Sequence, residues 1–129
     1  MPDRAKLANE WFARGSDDMQ TARLAFGAGA PTATIAVLLQ QAAEKYLKGY
    51  LIYHGWELRK THDIRRLVAE AINYDSSFID FRDFARAITA YYLEDRYPPG
   101  PPSDYPREEI AGVMEQAEKL IGKIKEAVG

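Results

Sequence analysis

The sequence predicts an all-α fold: a compact antiparallel bundle of about five helices, four long and one short, with residues 1–129 forming a single domain. Three observations lead there. Apolar residues recur at three- and four-residue spacing through five segments, the pattern of helices that bury one face. Clusters of Gly and Pro separate these segments. No apolar–polar alternation runs long enough to make a strand, and helices of ~20 residues joined by short turns settle as antiparallel neighbours.

The first helix is expected from about Ala5 to Phe26. Ala8, Phe12, Met19, Ala22 and Phe26 share one face, with Trp11 beside them and Asp18 at the edge of the stripe. Gly27, Gly29 and Pro31 break it, and Thr32 or Thr34 is placed to cap the next helix. That second helix, about Thr32 to His54, is the most apolar. Ile35, Leu39, Ala42, Tyr46, Leu47 and Tyr50, with their neighbours, cover more than half its circumference, which puts it at the centre of the bundle. Its polar strip of Gln40, Gln41, Glu44, Lys45 and Lys48 reads as a solvated face or, alternatively, as a contact for a partner helix. Glu44 precedes Lys48 by four, the favourable order for a helical ion pair.

Gly55 is a natural stop, and a short third helix comes after it with Thr61 as its expected N-cap. Ile64, Leu67, Val68, Ala71 and Ile72 form its apolar stripe. Asn73, Tyr74 and Asp75 make a turn, and a fourth helix begins near Ser76 with Phe78, Phe81, Ala85, Ile88 and Tyr92 pointing inward. Extending that row by one turn reaches Arg96, next to Asp95. Five of the chain's seven prolines then fall between Pro98 and Pro106, which forbids helix and favours an extended loop. The last helix runs from about Arg107 to Val128, with Pro106 suited to its first turn.

Composition narrows the chemistry. Hydrophobic residues at 47% and charged residues at 28% suit a globular chain, and a net charge of −2 gives no global pull towards nucleic acid or acidic membranes. An anion site must therefore come from local clustering. With no cysteine, disulfides, zinc–thiolate sites and thiol chemistry are excluded. The N-terminus lacks the apolar core of a signal peptide, and no apolar stretch reaches the ~18 residues of a membrane span. The cytoplasm is the expected compartment. There is no Glu-x-x-His pair, P-loop or dinucleotide fingerprint, and His54 and His62 are not at ligand spacing, so neither a metal nor a cofactor is expected.

Two stretches carry possible chemistry. Residues 59–66, RKTHDIRR, place four basic residues and His62 around a helix start, where free N–H groups and the helix dipole attract anions. The same residues also read simply as a cap with solvated arginines. In the segment Tyr91 to Pro98, Arg96 can grip a phosphate through two parallel hydrogen bonds, while Tyr92 and Tyr97 can stack on a base or bond a ribose. Alternatively Arg96 pairs with Asp18 or Asp95 and anchors the proline loop.

Taken in order, Trp11, Asp18, Met19 and Ala22, then QQAAEKYLKGYL from Gln40 to Leu51, then THDI from Thr61, then RYP from Arg96, resemble the HEPN domain family over nearly the whole chain. The resemblance implies a dimerising helical bundle associated with nucleotide or RNA, often beside a minimal nucleotidyltransferase partner and sometimes as part of a toxin–antitoxin pair. It makes Arg96 and Asp95 the candidate catalytic residues, and Arg96, Tyr97, Tyr92, Asp18, His62 and Lys45 the candidate nucleotide- or phosphate-binding set. Family members that cleave RNA carry a histidine after the arginine, with four to six residues between the two. Here those positions are Pro101, Pro102 and Ser103, and no other arginine supplies the spacing. The expected function is therefore a binding module rather than an enzyme, with a divergent ribonuclease toxin and a purely structural interaction domain as alternatives.

Overall fold

The computed structural model describes residues 3–96 and 105–129, with the side chains of 92–96 outside the described set. Helix α1 spans Arg4–Gly27, α2 Thr32–Tyr53, α3 Ile64–Ile72, α4 Arg82–Arg96 and α5 Arg107–Val128. A 3₁₀ segment, Ser76–Phe81, leads into α4.

Helix α2 is central. It packs against α1, α3, α4 and α5, and Ile35, Ala36, Leu39, Ala42, Ala43, Leu47 and Leu51 are wholly excluded from solvent. Its closest neighbour is α1, turned back by a break in which Gly29 takes φ 74°, a left-handed conformation that costs glycine nothing. The two helices run antiparallel with their backbones almost touching. A Cβ on Gly15 would stand 2.7 Å from the Tyr46 ring, and one on Gly49 would stand 2.5 Å from the Phe12 ring and 3.1 Å from the Ala8 carbonyl oxygen. Glycine at these two positions lets Phe12 and Tyr46 stack across the interface, with ring centroids 5.6 Å apart.

The second half closes over the other side of α2. Phe78 meets Tyr50 at 4.9 Å between centroids, and Tyr91 meets Tyr105 at 4.6 Å. The Thr32 hydroxyl donates to the Tyr105 carbonyl across 2.7 Å in a buried site, tying the start of α2 to the approach to α5.

Several local expectations need correcting. Neither Thr32 nor Thr34 caps α2: Pro31 holds the cap position without a side-chain bond, and the Thr32 hydroxyl is engaged with Tyr105. Asp63, not Thr61, caps α3; its carboxylate accepts from the Arg65 N–H, and the Thr61 hydroxyl accepts from the Asp63 N–H one step upstream. The element starting at Ser76 opens as 3₁₀ because Asp75 caps it at Ser77 and Phe78 and Phe81 both turn into the core. Pro106 sits at the cap position of α5, one residue ahead of the first turn.

The glycines give a paired test by chemical denaturation. Gly49→Ala should destabilise by roughly 1–3 kcal/mol, because Phe12 and the α1 backbone must yield. Gly112→Ala, on the exposed side of α5 with nothing within 4 Å of the added methyl, should instead stabilise by about 0.5–1 kcal/mol.

Candidate functional site

The polar strip of α2 is not a solvated face. Gln40, Glu44 and Lys48 are 1%, 7% and 4% exposed, as buried as the leucines around them. One helical row therefore carries a polar ladder through the core's flank, and Glu44 holds it together. Its carboxylate accepts from Gln40 Nε2 at 3.0 Å through one oxygen and from Lys48 Nζ at 2.9 Å through the other. Lys48 Nζ also lies 5.6 Å from the centre of the Trp11 ring, which offers it an electron-rich face.

His62 completes the ladder from outside. Its Nδ1 is 2.9 Å from Glu44 Oε1, and the Gln40 amide reaches the His62 carbonyl at 3.4 Å. A carboxylate accepts rather than donates, so the ring nitrogen facing Glu44, Nδ1, is the one that carries a proton in the His62–Glu44 bond. The Glu44 side chain is 10% exposed and that of His62 54%. A buried carboxylate thus orients a surface imidazole, the arrangement by which an anchoring acid fixes a histidine's tautomer and angle.

A second pair stands one step round the helix. Lys45 Nζ contacts Asp18 Oδ2 at 2.5 Å, linking α2 to α1 with both side chains partly buried. The strip is therefore flanked by α1, through Asp18 and Trp11, and by the segment leading to α3, through His62. Beside Trp11, and without the ladder residues in its lining, Leu7, Glu10, Trp11, Arg14 and Leu58 line a cavity of about 190 Å³. Its walls combine aromatic and apolar surface with Glu10 and Arg14, at a size below that of sites that enclose whole drug-sized molecules.

Of the residues expected at a site, Asp18, Lys45 and His62 all meet this one face of α2. Tyr92, Asp95 and Arg96 belong to the last turns of α4 with side chains outside the described residues, and Tyr97 lies outside them altogether. Gln40, Glu44 and Lys48 are the residues that sequence reasoning missed. Their signal was a polar row on a helix apolar over more than half its circumference, since so wide an apolar arc leaves little solvated face to hold it. Among the described residues no group of three His, Asp or Glu side chains converges as a metal site.

The cap beyond His62 is itself charged. Arg65 returns to Asp63 with Nε and Nη2 at 3.0 and 2.9 Å, a forked contact that holds the Asp63 carboxyl below its ordinary value of 3.8.

The chain matches the HEPN domain family over residues 8–127. Among solved structures it is similar to TT1696 from Thermus thermophilus, with 28% identity and a TM-score of 0.76, over 92% of this chain and 96% of that one. It is similar in fold to ST0689, an archaeal HEPN homologue, with 24% identity and a TM-score of 0.74, over 95% and 98% of the two chains. No curated protein matches.

Two measurements check the electrostatics. Glu44→Gln leaves the Lys48 charge buried without its counter-ion and should cost roughly 3–5 kcal/mol in denaturant unfolding, whereas Glu44→Gln with Lys48→Met should recover most of the loss. For Asp63 the folded value lies below the unfolded one, so its stabilisation is complete above about pH 4 and is lost as pH falls through the lower folded value. Asp63→Asn keeps the cap but not the charge, and should flatten the acid limb of stability against pH.

Proposed function

The chain belongs to the HEPN domain family, and from that premise we propose that it is a helical module that binds a nucleotide or RNA, acting as a homodimer beside a nucleotidyltransferase partner. The observation that carries the reading is the buried Glu44 carboxylate holding His62 at the surface. Burying Glu44 and Lys48 on the central helix adds little stability compared with apolar residues of similar size, because desolvation offsets their attraction. Orienting a surface imidazole is what the ladder gains. In this reading Trp11 stacks a base in the cleft, Arg14 and Lys45 meet phosphate charge, and His62 bonds the base or ribose.

RNA cleavage is the second reading, and the same dyad favours it. A histidine whose Nδ1 is held by a buried carboxylate is a fixed imidazole, the kind of group that transfers protons in catalysis. It would supply a proton-transfer group that the spacing after Arg96 does not.

Calorimetric titration with adenine and guanine nucleotides and with short oligoribonucleotides tests the binding reading. His62→Ala should weaken the tightest ligand by about tenfold, roughly 1.4 kcal/mol, with little change in melting temperature. Absence of binding to any of these probes would overturn the reading. Incubation with total RNA addresses the second reading: cleavage lost in both His62→Ala and Arg96→Ala would favour it. Light scattering after gel filtration should give twice the chain mass.

A further inference from the structure

On another side of the molecule, α3 and α4 enclose a cavity of about 230 Å³. Its walls are three arginines, Arg65, Arg82 and Arg86, over a floor of Val68 and Ala85. The chain as a whole is slightly acidic, whereas three guanidinium groups around one small hollow, two of them paired with Asp63 and Asp83, leave it locally positive.

Two of the three are paired in ways that solvent weakens. Arg65 forks onto Asp63, with side chains 55% and 37% exposed. Arg86 contacts Asp83, with side chains 67% and 90% exposed. Exposed pairs of this kind hold their partners loosely. The Arg82 side chain makes no hydrogen bond or ion pair among the described residues. The apolar floor lowers the local dielectric and strengthens whatever the guanidinium groups meet there.

We propose that this cavity receives a terminal phosphate or diphosphate group. Size decides how much of a ligand enters. The hollow is smaller than the roughly 300–1,000 Å³ of sites that enclose drug-sized molecules, so it takes the phosphate end and leaves the remainder outside. Planar guanidinium forks match phosphate oxygens two at a time, which a lysine cluster would not do. Arg82 is the primary ligand, and Arg86 turns from Asp83 to join it. Arg65 closes the rim while its neighbour Asp63 keeps α3 capped. The group comes either from a free nucleotide or from the 5′ end of an RNA. The site goes beyond the cleft on α2 and does not depend on it.

The test is calorimetric titration of the full chain with inorganic pyrophosphate, with ADP, and with an oligoadenylate bearing or lacking a 5′-phosphate. Pyrophosphate should bind wild type, and Arg82→Ala with Arg86→Gln should weaken it by at least about tenfold. Both residues are exposed, so circular dichroism of the variant should match wild type. His62→Ala should leave pyrophosphate affinity within about twofold. Tighter binding of the 5′-phosphorylated oligomer than of its 5′-hydroxyl form, lost in the arginine variant, assigns the group to an RNA end. Arginine-dependent binding of ADP with no preference between the oligomers assigns it to a free nucleotide. Pyrophosphate binding that is absent, or that survives in the arginine variant, overturns the proposal, as does an equal loss in His62→Ala.

Discussion

Polar groups that a helix buries have to be satisfied from within the protein, and this constraint on the row of Gln40, Glu44 and Lys48 in α2 governs the rest of the structure. That helix touches each of the other four helices, yet one of its rows is Gln40, Glu44 and Lys48. Three donors converge on the Glu44 carboxylate. Gln40 and Lys48 satisfy the carboxylate from within α2, and His62 joins the segment before α3 to the same group.

Architecture was largely legible in the residue order. The stripes of Ile64, Leu67, Val68 and Ala71, and of Ile110, Val113, Ala117 and Leu120, appear in the structure as buried faces. The glycine and proline breaks fall between elements, as backbone sterics require. What failed were decisions among near-equivalent local bonds. Thr61 and Asp63 both cap helices well, and a contact with Arg65 two residues on decides between them. The Thr32 hydroxyl looks like a cap only until Tyr105, 73 positions away, claims it.

The site was legible in part, for a related reason. Asp18, Lys45 and His62 stood out as charged or titratable residues in the motif order, and they meet on one face. Glu44 and Lys48 read as an ordinary surface pair because their i to i+4 spacing is identical in both settings. Burial alone distinguishes the two, and burial is a property of what packs around α2. Of the three arginines of the second cavity, Arg65 belongs to the basic stretch 59–66 already read as a possible anion site, but Arg82 and Arg86 lie in another segment, and only the packing of α3 on α4 brings them together.

The near-contact of backbones at Gly15 and Gly49 also bears on how the chain assembles. Helices α1 and α2 are joined by a connection of a few residues, so little chain entropy opposes their meeting, and the glycine notches allow full engagement without side-chain rearrangement. Helix α5 must find the same central helix from much further along the polymer, with α3 and α4 intervening. The hairpin is thus the part of the molecule whose contacts are most local in the chain, whereas α5 meets α2 only across a long sequence separation. The Thr32–Tyr105 bond, 73 positions apart, fastens that distant approach to the start of α2.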